Sequence, residues 1–467
     1  MLLKRLAETN DALNRDTVAL AQWTQLQALL EKTEPPDSDA LLDARRQRAA
    51  TSHRLRRFKE SFAILDDLRT KIVTRFGKES EAHGKLLIQM VGPLTELGRI
   101  DDAKRALADG STILTRLYPN DLAKRVALND DTAAMLTKLG LWRQAMAKLE
   151  MVESDLPAYA KLSGVPAREV LIQQNNIEGV RVRLGLYAGT EARLKQILAD
   201  ADKLLGPDNA ISADTLDFLA VLACETGRFA DCLAHRRALV SLRKKQVGVE
   251  PGQVLAAEID LLSVELALGR AVNPSAVEQL ERIFAQIALR YTEPSLGRSY
   301  AYRTISDAAT NADQLTLADA AQKRVRDDNI ALNKMSAERV ARLDVSIAAT
   351  AFARGEAREA ATLLTERFRV FSLTDEGDTP RRASLWLQKA LYEVEFDLPA
   401  AAQSAAKGRA MFERVGTLAP QFKAVLACID ARVSGNAAAI RAAKTAIDQS
   451  YTRPKSLPWR APFLSIM

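Results

Sequence analysis

The chain has 467 residues and a formal net charge of +7, from 66 Lys or Arg against 59 Asp or Glu. That length excludes one ordinary globular core and would ask for about three domains, unless the core grows in one dimension as stacked units do. Aromatic residues are only 5% and mean hydropathy is −0.13, a helical composition with no apolar run near the ~20 residues of a membrane span.

Taken in chain order, Met1-Leu2-Leu3-Lys4-Arg5 leads straight into Glu8, Thr9 and Asn10. No apolar stretch of signal-peptide length stands there, so a cytoplasmic location is expected. Residues 1–32 are predicted as one helix with Leu2, Leu6, Leu13, Leu20, Trp23 and Leu30 on one side, interrupted by Thr9, Asp16 and Gln27. Glu34-Pro35-Pro36-Asp37-Ser38 then breaks the helix and caps the next. Residues 1–36 are thus expected to be an N-terminal capping helix, or the end of a linker from an upstream domain.

From there a punctuation mark recurs about every 42 residues. Clear copies are Leu97-Gly98-Arg99-Ile100, Leu139-Gly140-Leu141-Trp142, Leu184-Gly185-Leu186-Tyr187, Thr226-Gly227-Arg228-Phe229 and Leu268-Gly269. Weaker ones are Arg56-Arg57-Phe58, Ala312-Asp313, Arg354-Gly355 and Phe396-Asp397. The anchors fall at 56, 98, 140, 185, 227, 269, 313, 355 and 397. Each unit is predicted as helix A, a tight turn at the anchor, and helix B. Gly suits the turn because it accepts positive φ without a steric penalty. Five residues after the anchor a small residue lets the helices approach: Ala103, Ala145, Cys232, Ala318, Ala360 and Ala402. Eight residues before it, helix A carries Met90, Ile177, Leu219, Leu261, Ile305 or Ile347 toward the seam. Between units, Phe76-Gly77-Lys78, Leu205-Gly206-Pro207-Asp208, Val247-Gly248-Val249, Tyr118-Pro119-Asn120-Asp121 and Tyr291-Thr292-Glu293-Pro294 stop one helix B and start the next helix A.

The Leu-Gly-x-aromatic-x-x-Ala core resembles the tetratricopeptide repeat, with a period longer than that family's ~34. Leu205-Gly206-Pro207-Asp208 leading to Thr215-Leu216-Asp217-Phe218-Leu219-Ala220 and Gly227-Arg228-Phe229 is similar to the long kinesin-light-chain variant, as is Asn175-Asn176-Ile177 before Gly185. The resemblance covers about residues 40–415, strongest over about 80–270. It implies an all-α fold, an α-solenoid of about nine helical hairpins in a right-handed superhelix with the A helices on the concave side. It also implies a bacterial signalling context, where such repeats often follow a kinase or DNA-binding domain. The repeat array is placed at 37–415, C-terminal capping helices at 416–450, and an extended or disordered tail at 451–467, where Trp459 and Phe463 could dock.

If the A helices line a groove, the positions nine and ten before each anchor face it. The first set reads Gln47, Gln89, Asp131, Asn176, Phe218, Asp260, Thr304, Ser346 and Gln388; the second reads Arg46, Ile88, Asp130, Asn175, Asp217, Ile259, Arg303, Val345 and Leu387. The polar residues at the first set could bond a ligand backbone, or the neighbouring helix. Partner-binding candidates are Asp130, Asp131, Asn175, Asn176, Asp214, Asp217, Asp260 and Arg303, facing a protein or peptide segment with basic and apolar residues. The family's carboxylate clamp needs Asn six residues before the anchor. The chain has Ala50, Gly92, Ala134, Gly179, Val221, Ser263, Asp307, Ala349 and Leu391 there, so such a clamp is not expected.

No catalytic constellation, cofactor or metal site is expected. His53, His83 and His235 lie in different units without ligand spacing. Cys224, Cys232 and Cys428 lack metal-ligand spacing too. Cys224 and Cys232 could be neighbours, as small apolar packing or as a redox pair. The expected function is a non-catalytic protein- or peptide-binding scaffold, the sensor or docking region of a bacterial signalling or transcription-regulatory system. The alternative is a nucleic-acid-binding solenoid using Arg45, Arg46, Arg54, Arg56, Arg57, Lys59, Arg243, Lys244 and Lys245 on phosphates.

Overall fold

The computed structural model describes residues 2–12, 15–246, 249, 251–267, 274–332, 337–371, 379–416, 418 and 420–450. Among these, the chain forms 22 helices that pair into eleven hairpins. It divides into two compact units, the first made of Met1–Ile177, Gln246–Glu250 and Tyr291–Gly297 and the second of the remainder.

The first unit holds α1 (Leu2–Ala12), α2 (Asp16–Thr33), α3 (Asp39–Arg54), α4 (Phe58–Phe76), α5 (Glu81–Glu96), α6 (Ile100–Leu117), α7 (Leu122–Lys138) and α8 (Trp142–Tyr159). The division falls within α9 (Ala167–Leu184). The second unit continues with α10 (Thr190–Leu205), α11 (Ala210–Glu225), α12 (Phe229–Lys245), α13 (Pro251–Ala267), α14 (Pro274–Arg290) and α15 (Leu296–Asn311). It ends with α16 (Leu315–Ala331), α17 (Ala337–Ala353), α18 (Ala357–Phe371), α19 (Pro380–Glu393), α20 (Leu398–Val415), α21 (Pro420–Ser434) and α22 (Ala437–Ser450).

The predicted turns fall where the anchors stand. Gly98, Gly140, Gly185, Gly227 and Gly355 all have positive φ, and the non-glycine anchors Arg56 and Asp313 adopt it too, at 62° and 59°. Asp397 departs from the pattern. Its φ is −151° and its carboxylate accepts from the Ala400 amide, so it is the N-cap of α20. The register there shifts by one: Ala401 is fully buried where Ala402 was expected. Leu268, Gly269, Val247, Gly248 and the tail 451–467 lie outside the described residues.

The small residues of the seam are buried without remainder. Ala103, Ala145, Cys232, Ala318 and Ala360 are each 0% exposed. Met90, Ile177, Leu219 and Ile305 on the A helices are buried too, as stacked hairpins that cannot bury their apolar faces alone require. Between hairpins, Gly77 and Gly206 end α4 and α10, while Asp121 and Asn209 cap α7 and α11 through their side chains.

The first helix is not continuous as predicted. Residues 2–33 form the hairpin α1–α2, packed through Ala7, Ala19, Trp23 and Leu26 against Ala44. In sequence, position 14 stands 42 residues before Arg56, between the end of α1 and the start of α2, and the fully buried Ala19 takes the small-residue place five positions later. Asp11 and Asp16 flank the break and both bind Arg54 of α3, which neutralises carboxylates that interrupt the apolar stripe. At the other end, α21 and α22 add the eleventh hairpin over Gly435, also at positive φ.

The cysteine pair is bonded rather than merely packed. Cys224 and Cys232 form a disulfide across the α11–α12 turn with Cα atoms 5.2 Å apart, inside the range that such bonds require. Their places, three before and five after the anchor, bring them together. They remain core residues as well, against Ala223, Phe229 and Val264. Cys428 is free and buried, and burial pushes its thiol pKa up to about 11.

Candidate functional site

In the first unit, three successive A helices, α3, α5 and α7, supply most of the lining of an open cavity of about 540 Å³. Its floor is made of small and apolar groups, among them Ala49, Ala50, Ile88, Gly92, Ala127 and Met135. The two ends differ. At the helix starts, Lys85 and Lys124 share one carboxylate, Glu81, at 2.6 and 3.9 Å, and Lys124 lies 4.4 Å from the centre of the Tyr118 ring. At the helix ends stand His53, Arg54 and Lys138.

His53 packs edge-on against Phe58 with ring centroids 5.2 Å apart. Its Nδ1 is buried without a hydrogen-bond partner among the described residues. The ring fits because residue 92 is glycine: a Cβ there would lie 3.1 Å from the imidazole. Burial, with the charges of Lys138, Arg56 and Arg54, lowers the His53 pKa to about 4, so the ring is neutral at pH 7. Burial also lowers the Lys138 ammonium pKa, opposed by the charge of Glu96.

The predicted partner-binding residues of this unit separate by accessibility. Asp131 is exposed and lines the cavity; burial and then Asp130 raise its pKa. Asp130 accepts from the Asn176 amide at 2.9 Å, and burial raises its pKa as well. Asn175 is 4% exposed, so it serves packing and is not open to a ligand as expected.

The second unit turns its predicted acidic patch into a neutral lattice. Arg236 of α12 is buried and pairs with Asp217 of α11 and, at 3.3 Å, with Asp260 of α13. Arg183 lies 4.0 Å from Asp217, and Asp214 pairs with Arg243 at 2.6 Å. Arg303 binds Asp307 one turn along its own helix at 3.2 Å and sits 5.2 Å from the centre of the Tyr300 ring. The carboxylates expected to meet a basic partner are therefore already met by arginines of the same chain. Burial opposes ionisation of both central acids. For Asp217 the charge of Arg236 then wins and its pKa falls, whereas the Asp260 pKa stays raised. Tyr300 is exposed, with its pKa raised chiefly by Asp260.

The polar register nine residues before the anchor splits in the same way. Gln47, Gln89, Asp131 and Asn176 reach the surface, but Thr304, Ser346 and Gln388 are buried. There, Gln322 of α16 donates to Ser306 at 3.0 Å and Thr350 at 2.8 Å, stitching α15 to α17.

The basic clusters are mostly committed within the chain. Arg45 binds Glu31 and Asp67, Arg46 binds Asp43, Arg54 binds Asp11 and Asp16, and Arg57 lies near Glu60. Arg243 and Lys244 bind Asp214 and Glu258. Arg56 stacks 4.2 Å over the Tyr291 ring. Lys59 is exposed. His83 bonds the Lys78 carbonyl at 2.6 Å. Among the described residues no three His, Cys, Asp or Glu side chains gather as a metal site, and no helix is long and apolar enough to cross a membrane.

A scan against protein-family models finds no match, and a search of curated proteins finds none. Solved structures do match. A Rap protein complexed with Competence and Sporulation Factor is 11% identical over 80% of this chain and 98% of its own, with a TM-score of 0.53. Kinesin-light-chain TPR-like repeats from Podosopora anserina are 18% identical over 44% of this chain and 95% of theirs, with a TM-score of 0.34. The Cut9–Hcn1 structure of the APC/C is 13% identical over 100% of this chain and 82% of its own, at 0.47. The fold is an all-α helical-repeat array of tetratricopeptide type.

Proposed function

We propose that the chain is a non-catalytic scaffold that binds a protein or peptide partner, as the sensor or docking part of a bacterial signalling or transcription-regulatory system. The supporting observation is the surface register of the first unit. Gln89, Asp131 and Asn176 stand on α5, α7 and α9 at equivalent positions and reach solvent, where side-chain amides and a carboxylate can bond a partner's backbone. Asp130 sets the direction of Asn176 through their hydrogen bond. In the second unit the exposed Tyr300, beside Arg303 and in the field of Asp260, is the corresponding contact candidate, while Asp214 and Asp217 act through their arginines. The Rap structure, of the same fold, holds Competence and Sporulation Factor, and this agrees with a partner-binding role.

The test is affinity capture from a lysate of the source cell, comparing the native chain with Asp131→Lys/Asn176→Lys, with and without nuclease. A protein that survives nuclease and is lost from the variant supports the reading. Captured material that is nucleic acid, or a protein retained in full by the variant, overturns it.

A further inference from the structure

The cavity of the first unit shares Gln89 and Asp131 with the proposed partner surface, but the rest of its lining has a chemistry of its own. Its body is apolar, formed by Ala50, Ile88, Gly92, Ala127 and Met135. The end formed by the last turns of α3 and α7 holds the Lys138 amine, which feels the opposite charge of Glu96, and the buried His53 Nδ1, which has no hydrogen-bond partner among the described residues. Arg54 beside them is already bound by Asp11 and Asp16. Asp131 is the one acid among the residues that line the cavity.

We propose that this cavity is a binding site for a small organic monoanion with an apolar body, its head group held by Lys138 and His53 and its body lying along Ile88, Ala50 and Ala127. Three observations select that ligand. The volume, about 540 Å³, lies in the ~300–1,000 Å³ range of small-molecule sites. The places six before the anchors are Ala50, Gly92 and Ala134, so this register offers no side-chain amide to a peptide backbone; the partner-binding register, Gln89 and Asp131, lies three residues earlier along each helix. A polyanion would meet Asp131, whereas a single charge at the far end of the helix does not. Burial disfavours the charged form of His53, and an anion bound between it and the solvent-reaching Lys138 ammonium favours the charged form of both. His53 accepts or donates according to the tautomer its ligand requires.

The experiment is isothermal titration of the full chain with dodecanoate, dodecanol and dodecylammonium below their micelle concentrations. The site predicts saturable dodecanoate binding, with dodecylammonium at least about tenfold weaker, the worth of one charge-assisted hydrogen bond. Lys138→Gln weakens dodecanoate by about tenfold or more, and Ala127→Trp, which fills the cavity, abolishes it. Lys138 is exposed, so its variant decides the matter even if Ala127→Trp does not fold. Equal binding of dodecylammonium, or an unchanged Kd in Lys138→Gln, overturns the proposal. Preference for the acetylated tripeptide acid Ac-Leu-Leu-Leu over dodecanoate overturns the small-molecule assignment. The partner-binding reading is independent: a chain that captures its partner and ignores dodecanoate loses this inference alone.

Discussion

The guanidinium of Arg236 lies 3.3 Å from the carboxylate of Asp260, one helix further along the array. The same nitrogen binds Asp217 on the preceding A helix. One buried cation thus joins α11, α12 and α13. Arg236→Met leaves the two carboxylates with only the more distant Arg183, 4.0 Å from Asp217, and is predicted to cost about 3 kcal/mol in chemical denaturation. Asp214→Asn removes only the exposed pair with Arg243 and should cost under about 1 kcal/mol. Equal effects would contradict the lattice.

His53 gives the array a pH dependence of definite sign. Its folded pKa, about 4, is below the ordinary 6.5. Between those values the unfolded chain binds more protons, so this contribution is full above pH 6.5 and is lost as pH falls toward 4. Asp130 and Asp131, whose pKa values are raised, act with the opposite sign, so the informative quantity is a difference. Stability of His53→Gln followed from pH 7.5 to 4, on the order of neutral to mildly acid, should fall less steeply than that of the native chain. Parallel curves would remove His53 from the account.

Gly110 of α6 faces the backbone of α5. A Cβ on it would stand 2.9 Å from the Gly84 carbonyl oxygen and 3.1 Å from the Leu87 side chain. A backbone oxygen cannot rotate away, so Gly110→Ala is predicted to cost about 1–3 kcal/mol despite the better helix former. A rise in melting temperature would show that the two helices can separate freely.

The Cys224–Cys232 bond closes a loop of sequence separation 8, which removes about 2–3 kcal/mol of unfolded-chain entropy. Intact mass of the native chain should be lighter by two hydrogens than after reduction. Reduction should lower the stability of the α11–α12 hairpin, seen as faster amide exchange there. Unchanged exchange on reduction would show that packing alone fixes the turn.

Much of the fold was legible because turns are local. Positive φ at Arg56 and Asp313 was readable from period alone, since each stands where its neighbours have glycine. The α1–α2 break is hidden in the sequence because residues 13–15 hold no glycine and Asp16 reads as an interruption of a helix stripe; the 42-residue period is the signal that marks it. The site was less legible. Asp214 and Asp217 look like an open acidic patch in sequence, but their arginines come from the partner helix of the hairpin, 29 and 19 residues away. Likewise His53 and Lys138 belong to different hairpins, and only stacking makes them two walls of one cavity.

The central claim is that a partner seats on the A helices of the first unit. Hydrogen–deuterium exchange of the chain with and without its captured partner tests this most directly. The account predicts new protection in α5, α7 and the middle of α9, around Gln89, Asp131 and Asn176. Protection confined to the B helices α4, α6 and α8, with those three positions unchanged, would contradict it.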